Sequence, residues 1–324
     1  MMLSLPRYYS PEDAGVLRIE RAAMVAAEAR TLRLKPAASD HERVAVFGID
    51  AQIGFCHPEG SLFVPGAVDD TRRALEFFYP RLDRITTMVM SLDTHAVHQI
   101  FHPSHWRDAG GEPPPPFTPI TRADVESGKW TPVRDREASI EYVTRLEKSG
   151  KYVLTIWPYH TLLGGVSHAL VPAVMEMCIL HALARDARTI FETKGSEPLT
   201  ENYSVLSPEV TELAGRRVGA FNETLFDTLM QHHRVFVFGQ AKSHCVLSTL
   251  LDMRARIEKM PDARGLAKKI VVLADAMSPV PPPPISPLPD TLNFPVIAER
   301  AFAELAAFGM TITTTHDAPR FFGG

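Results

Sequence analysis

Three residues able to share the work of a nucleophilic reaction stand at the ends of apolar runs in this 324-residue chain. Cys245 lies in RVFVFGQAKSHCVLSTLLDMRARIEK, where a strand-like run from Arg234 to Phe238 breaks at Gly239 and an amphipathic helix follows. A thiol at the mouth of a helix meets free backbone N–H groups, and the helix dipole favours the thiolate over the thiol. Asp50 closes the run VAVFGID, and Lys194 stands near the end of TIFETKG. Together they form a nucleophile, a proton carrier and a cation. Each has an ordinary explanation when taken alone. A lone cysteine usually packs as a small hydrophobe, Asp50 fits a helix cap or loop, and Lys194 fits a solvated surface. The joint placement is what points to chemistry.

A second constellation is Asp93 and His95 in SLDTH with His160 in IWPYH. An Asp-x-His pair at a strand end and a distant histidine offer three ligands and leave positions open for water or substrate. That pattern suits a catalytic divalent site for zinc, iron or manganese. The plainer alternative is a strand-end turn beside a core histidine. His98, His102 and His105 would share a face with His95 on a helix, but Pro103 argues against an uninterrupted one. They are expected as polar loop residues with backbone partners, and the lesser alternative is that one of them replaces or supplements a ligand.

These residues need a scaffold that brings strand ends together. VAVFGID (44–50), TTMVMSLD (86–93), YVLTIWP (152–158), TIFETKG (189–195), VFVFGQA (235–241) and IVVLADA (270–276) read as strands separated by helical segments. Helices are expected over AVDDTRRALEFFYPRLDRI, about 166–185, NETLFDTLMQHH with Asn222 as N-cap, the segment holding Cys245, and about 296–308. MTITTT reads as an edge strand. Near-continuous apolar strands alternating with helices predict a three-layer αβα fold with a mostly parallel, Rossmann-like sheet. Ligands in such sheets gather at the C-terminal ends of the strands, where Asp50, Asp93, His160, Lys194 and Cys245 all fall. Residues 1–40 are expected as an extension with one helix over about 11–33. The α/β domain spans 41–318, interrupted by insertions at about 106–149 and 278–290, and 319–324 form a tail. The prolines of SPVPPPPISPLPD favour extended geometry.

Composition narrows the functional classes. A formal net charge of −4 gives no footprint for nucleic acid or an anionic membrane. No apolar run approaches the ~18 residues of a spanning helix, and the N-terminus does not read as a secretory signal. Three widely spaced cysteines, Cys56, Cys178 and Cys245, predict no disulfide framework and fit a reducing cytoplasm.

DAQIGF, SLDTH, IWPYH with KGSE, and GQAKSHCV together resemble the isochorismatase-like cysteine hydrolases, and among them the nicotinamidases, over about residues 44–315. The resemblance implies a catalytic triad of Asp50, Lys194 and Cys245. It also implies an oxyanion hole of the Ala241 and Cys245 backbone N–H groups and a cis peptide between Gln240 and Ala241. Asp93, His95 and His160 would hold a divalent metal, zinc first with iron or manganese as alternatives, that orients the substrate. Phe55 and Trp157 would line the pocket. The reaction implied is ammonia release from a small carboxamide such as nicotinamide through a thioester, in a cytoplasmic enzyme that forms a homo-oligomer.

The chain departs from the family at Asp93-Thr94-His95-Ala96, where Asp-Trp-His-Pro is usual, and at Thr161, where cysteine is common. These changes keep the reaction type and open the substrate. The alternatives are another C–N hydrolase acting on a ureide, carbamoyl compound or acyclic amide, a non-catalytic small-molecule-binding relative, and a metalloenzyme that does not use the cysteine. A true isochorismatase is disfavoured because that branch lacks the nucleophilic cysteine.

Overall fold

A computed structural model describes residues 2–149, 153–283 and 286–322. Its centre is a six-stranded parallel sheet of β1 (Val44–Ile49), β2 (Thr87–Asp93), β3 (Ile190–Lys194), β4 (Arg234–Gly239), β5 (Ile270–Leu273) and β6 (Thr311–Thr313), in the order β6-β5-β4-β1-β2-β3. Alternate residues of the inner strands feed opposite faces, as the two-residue period of a strand requires. Val46, Phe236, Phe238, Val271 and Leu273 enter one core; Phe47, Ile49, Val235, Val237 and Val272 enter the other. Burial on both sides explains why the strands read as unbroken apolar runs.

Helices α1 (Ala22–Leu32), α2 (Ala67–Phe78) and α4 (Pro172–Arg185) cover the first face. Helices α5 (Glu223–Met230), α6 (Leu247–Ile257) and α7 (Phe294–Phe308) cover the second. Between them, α3 (Arg136–Ser149) belongs to a third cluster, built on Trp106, Ile120, Tyr142, Leu146, Leu154 and Trp157. Chain order reverses at β1, which has β2 on one side and β4 on the other. Connections leave these neighbours in opposite directions, opening a crevice beyond the C-terminal end of β1.

Three expected elements differ. The strand at 152–158 is not part of the sheet. Tyr152 lies outside the described residues, and only Leu154–Thr155 pair, antiparallel, with Pro119–Ile120. The apolar side chains of that run fill the third cluster instead of the sheet core. The helix over 11–33 is broken into a short 3-10 turn, Pro11–Gly15, and α1, with Val16 in extended conformation. The break lets Arg18 and Arg21 reach the buried carboxylate of Glu176 at 2.7 and 2.9 Å. The long helix begins at Pro172, whose ring is suited to a first turn but not to a helix interior. Residues 150, 284–285 and 323–324, which fall in or beside the expected insertions and tail, also lie outside the described residues.

Candidate active site

Parallel register sets the first contact of the site. Asp93 ends β2, Lys194 ends β3, and the two are paired across the strands. Lys194 Nζ donates to Asp93 Oδ1 at 2.7 Å and to the Asn202 carbonyl at 2.9 Å, and lies 3.0 Å from Asp50 Oδ2. Asp50 follows β1 in the left-handed region, with φ +47°, which turns its side chain back over the strand ends. Ser91 fixes it from the neighbouring strand: its Oγ accepts from Asp50 N–H at 3.0 Å and donates to Asp50 Oδ1 at 2.5 Å.

The nucleophile candidate arrives from β4. Gly239 leaves that strand with φ +124°, and a Cβ there would sit 1.9 Å from the Ile49 carbonyl oxygen, so only glycine lets the two chains pass. The Gln240–Ala241 peptide is cis. A wide π-type turn, Lys242–Val246, follows before α6 and places Cys245 Sγ 3.5 Å from Lys194 Nζ. Asp50, Lys194 and Cys245 are therefore brought together, all buried.

Burial and neighbouring charges set their electrostatics. Burial pushes the Cys245 thiol well above its usual value; Lys194 opposes this, while Asp50 and Asp93 reinforce it. Full burial among carboxylates outweighs the helix mouth, so the resting group is a neutral thiol rather than a thiolate. Burial likewise raises Asp50, with Lys194 opposing. For Lys194, burial acts downward, but Asp50 and Asp93 outweigh it and hold the ammonium well above its ordinary value. Burial acts upward on Asp93, yet His95 and Lys194 keep it well below the usual carboxylate range. The result is a neutral thiol beside an elevated carboxyl and a firmly charged lysine.

Asp93, His95 and His160 also converge, with one ligand atom from each within 4.8 Å of the others. His95 Nε2 is 2.7 Å and His160 Nε2 3.6 Å from Asp93 Oδ2. Their Nδ1 atoms face the carbonyls of Gly195 at 3.2 Å and Pro158 at 2.7 Å, and both Nε2 atoms face the Asp93 carboxylate; a proton held on Nδ1 would free Nε2 to ligate a metal. Burial lowers the pKa of His160, favouring the neutral imidazole that a metal requires. His102 stands beside them, its ring 5.9 Å from His95 and 5.7 Å from His160. Its Nδ1 contacts the Val97 carbonyl at 3.3 Å, while its Nε2 is buried with no hydrogen-bond partner among the described residues. A carboxylate and two inward-facing imidazoles fit a divalent ion of the zinc, iron or manganese type. His105 turns away to Ser139 Oγ at 2.9 Å.

Cys245 and the Asp93–His95–His160 group line one cavity. Phe55, Phe101, Trp157 and Val280 form apolar walls, and Ala241 and Cys245 form its floor with Asp93, His95 and His160. Glu201, Tyr203 and His244 also line it and were not anticipated from the sequence. Glu201 accepts from Tyr142 Oη at 2.8 Å, from Trp157 Nε1 at 3.2 Å and from the Tyr203 hydroxyl. Burial pushes its carboxyl up to about 7. Gln52, inside a motif already noted, was also missed as a support: its side chain brackets the backbone of Asp93, donating to its carbonyl at 2.9 Å and accepting from its N–H at 2.7 Å.

Solved structures with this arrangement of strands are known. A nicotinamidase/pyrazinamidase of Acinetobacter baumanii superposes with a TM-score of 0.50 at 20% identity, covering 86% of this chain and 99% of that one. The yeast nicotinamidase superposes with a TM-score of 0.52 at 17% identity, covering 84% and 99%. The chain has the nicotinamidase fold. A further yeast nicotinamidase structure, bound to the inhibitor nicotinaldehyde, matches with a TM-score of 0.50 at 17% identity, covering 84% and 99%. Neither a protein-family model nor a curated protein sequence matches the chain. Among the described residues, no helix is long and apolar enough to cross a membrane.

Proposed function

We propose that the protein is a cysteine-nucleophile amidohydrolase that releases ammonia from a small carboxamide such as nicotinamide. The observation that carries this reading is the contact of Cys245 Sγ with Lys194 Nζ, at 3.5 Å, where the same buried ammonium touches Asp50 and Asp93 beside the cavity that Cys245 lines. The fold shared with nicotinamidases agrees with it.

Asp50 takes the Cys245 proton as Sγ attacks the carbonyl carbon, so a C–S bond forms and the carbonyl π pair moves to oxygen. The backbone N–H groups of Ala241 and Cys245 receive that oxyanion, a role often worth about 10²–10³ in rate per donor. Asp50 returns the proton to the amide nitrogen, the C–N bond breaks, and ammonia leaves. Water then gives its proton to Asp50 and attacks the thioester, and the C–S bond breaks to restore the thiol. A carboxyl raised by burial suits both directions of this transfer. Lys194 stays charged throughout and keeps Asp50 in reach of the sulfur.

Asp93, His95 and His160 would hold a divalent metal, whose chemistry is to accept a ring nitrogen or water and so orient the carboxamide. Phe55 and Trp157 flank the ring. A ureide or carbamoyl substrate is the second reading, favoured by Thr94 in place of a bulky aromatic and by the extra polar wall at Glu201. Ammonia release across a panel of amides and ureides tests both. The expected result is turnover of nicotinamide that is lost in Cys245→Ala and reduced by a chelator; turnover surviving in Cys245→Ala would remove the nucleophile.

A further inference from the structure

Gln240 sits between the glycine that ends β4 and the alanine that begins the nucleophile's turn, and its amide is buried with both ends occupied. Its Nε2 donates to Asp70 Oδ2 at 2.9 Å, and its Oε1 accepts from Ser278 N–H at 3.2 Å. Asp70, buried on α2, accepts from Arg73 at 2.6 Å on its other oxygen. The segment that Gln240 grips runs beside the turn. Gly239 N–H donates to the Ala276 carbonyl at 3.1 Å, Lys242 N–H to the Ser278 carbonyl at 2.9 Å, and Val280 N–H to Ser243 Oγ at 3.0 Å. Val280 then enters the cavity wall.

We infer that Asp70 and Gln240 are positioning residues: an acid–amide clamp that sets where the Ala241 N–H and the Cys245 sulfur meet the substrate carbonyl. A side-chain amide reads two directions at once, so it fixes the orientation of the backbone that carries it as well as its distance. An apolar side chain at 240 would fill the space without that constraint. Asp70 makes the clamp directional, because a buried carboxylate accepts only where donors are already placed. Arg73, anchored on the same helix, holds its other oxygen in place. Neither residue touches the substrate; their effect passes through the Gly239–Cys245 turn.

This inference rests on the amidohydrolase reading, and the test separates the two. Asp70→Ala is compared with Asp70→Asn, whose remaining carbonyl still accepts from Gln240. The clamp predicts that Asp70→Ala lowers kcat by about 10- to 100-fold with KM within about twofold, the scale expected when reacting groups are misplaced by ~1 Å. Affinity for nicotinaldehyde, whose adduct would place an oxygen where the oxyanion forms, should fall by a similar factor. Zinc stoichiometry and the rate of Cys245 alkylation by iodoacetamide should be unchanged, and Asp70→Asn should recover most of the loss. Gln240→Met, which keeps length without hydrogen bonds, should behave as Asp70→Ala does and serves if that variant does not fold. Unchanged kcat and aldehyde affinity in a folded variant would overturn the clamp, as would a loss that tracks zinc content. Failure of the underlying reading would appear earlier, as absence of ammonia release and aldehyde binding in the unaltered protein, and would take the clamp with it.

Discussion

Glu201 offers a prediction whose size follows from its surroundings. The carboxyl is fully enclosed, and burial raises it from 4.5 to about 7 although Tyr203, Tyr142 and Trp157 all donate to it. Between those pH values the unfolded chain releases a proton that the folded protein keeps. The folded state therefore binds more protons, and stability falls as pH rises through this window, flattening above about 7. The span corresponds to about 3 kcal/mol at full expression. Glu201→Gln keeps the shape and removes the titration. Urea unfolding of metal-stripped unaltered protein and Glu201→Gln at pH 4.5, 6 and 8 measures the difference. All other titrating groups cancel between the two proteins, so the variant should gain about 3 kcal/mol relative to the parent between pH 4.5 and 8. A difference that stays constant with pH, or one of the opposite sign, would refute the assignment of Glu201 as a buried, elevated carboxyl.

Other consequences follow from single contacts. Gly239→Ala places a Cβ 1.9 Å from the Ile49 carbonyl oxygen at a φ of +124°, so it should abolish ammonia release and lower the thermal midpoint steeply; an active, equally stable variant would contradict the close approach of β1 and β4 at their ends. Glu176→Ala takes the buried carboxylate from Arg18 and Arg21, leaving them Asp13 at 3.6 and 2.7 Å, and should cost up to about 3 kcal/mol by urea unfolding, the scale for breaking a buried ion pair. It should also expose the segment before α1 to limited proteolysis, whereas unchanged stability and protease resistance would show the clasp to be idle. Zinc titration of the stripped protein, read by equilibrium dialysis, should give one equivalent that is lost in His160→Ala; retention there would exclude the Asp93–His95–His160 centre.

The polar ends of the sheet were legible because the fold exposes them by rule. Strands buried on both faces must be apolar, so an acid closing the run, as at Asp50 and Asp93, stands out in one dimension, whereas Lys194 closes a half-exposed edge strand and stood out through the KGSE motif. The segment around Leu154 has the same apolar texture, and nothing local distinguishes a sheet strand from the floor of a separate cluster. That difference lies in partners such as Tyr142 and Trp106. Glu201 and His244 escaped notice for a related reason, since neither lies in a periodic pattern and only tertiary packing makes them cavity walls. Asp70 and Gln240 are 170 positions apart, and their pairing has no local trace. The elevation of the Cys245 thiol has no local trace either: the helix mouth is visible in the sequence, whereas the burial and the nearby carboxylates that outweigh it are not.

The central claim is that Cys245 carries the acyl group during turnover. Rapid acid quench of the protein with nicotinamide, followed by peptide mass spectrometry, tests it directly. The account predicts a nicotinoyl thioester on the peptide containing Cys245, formed together with the first equivalent of ammonia and absent in Asp50→Asn and Cys245→Ala. Steady ammonia release with Cys245 unmodified at every quench time, or continuing in Cys245→Ala, would contradict it.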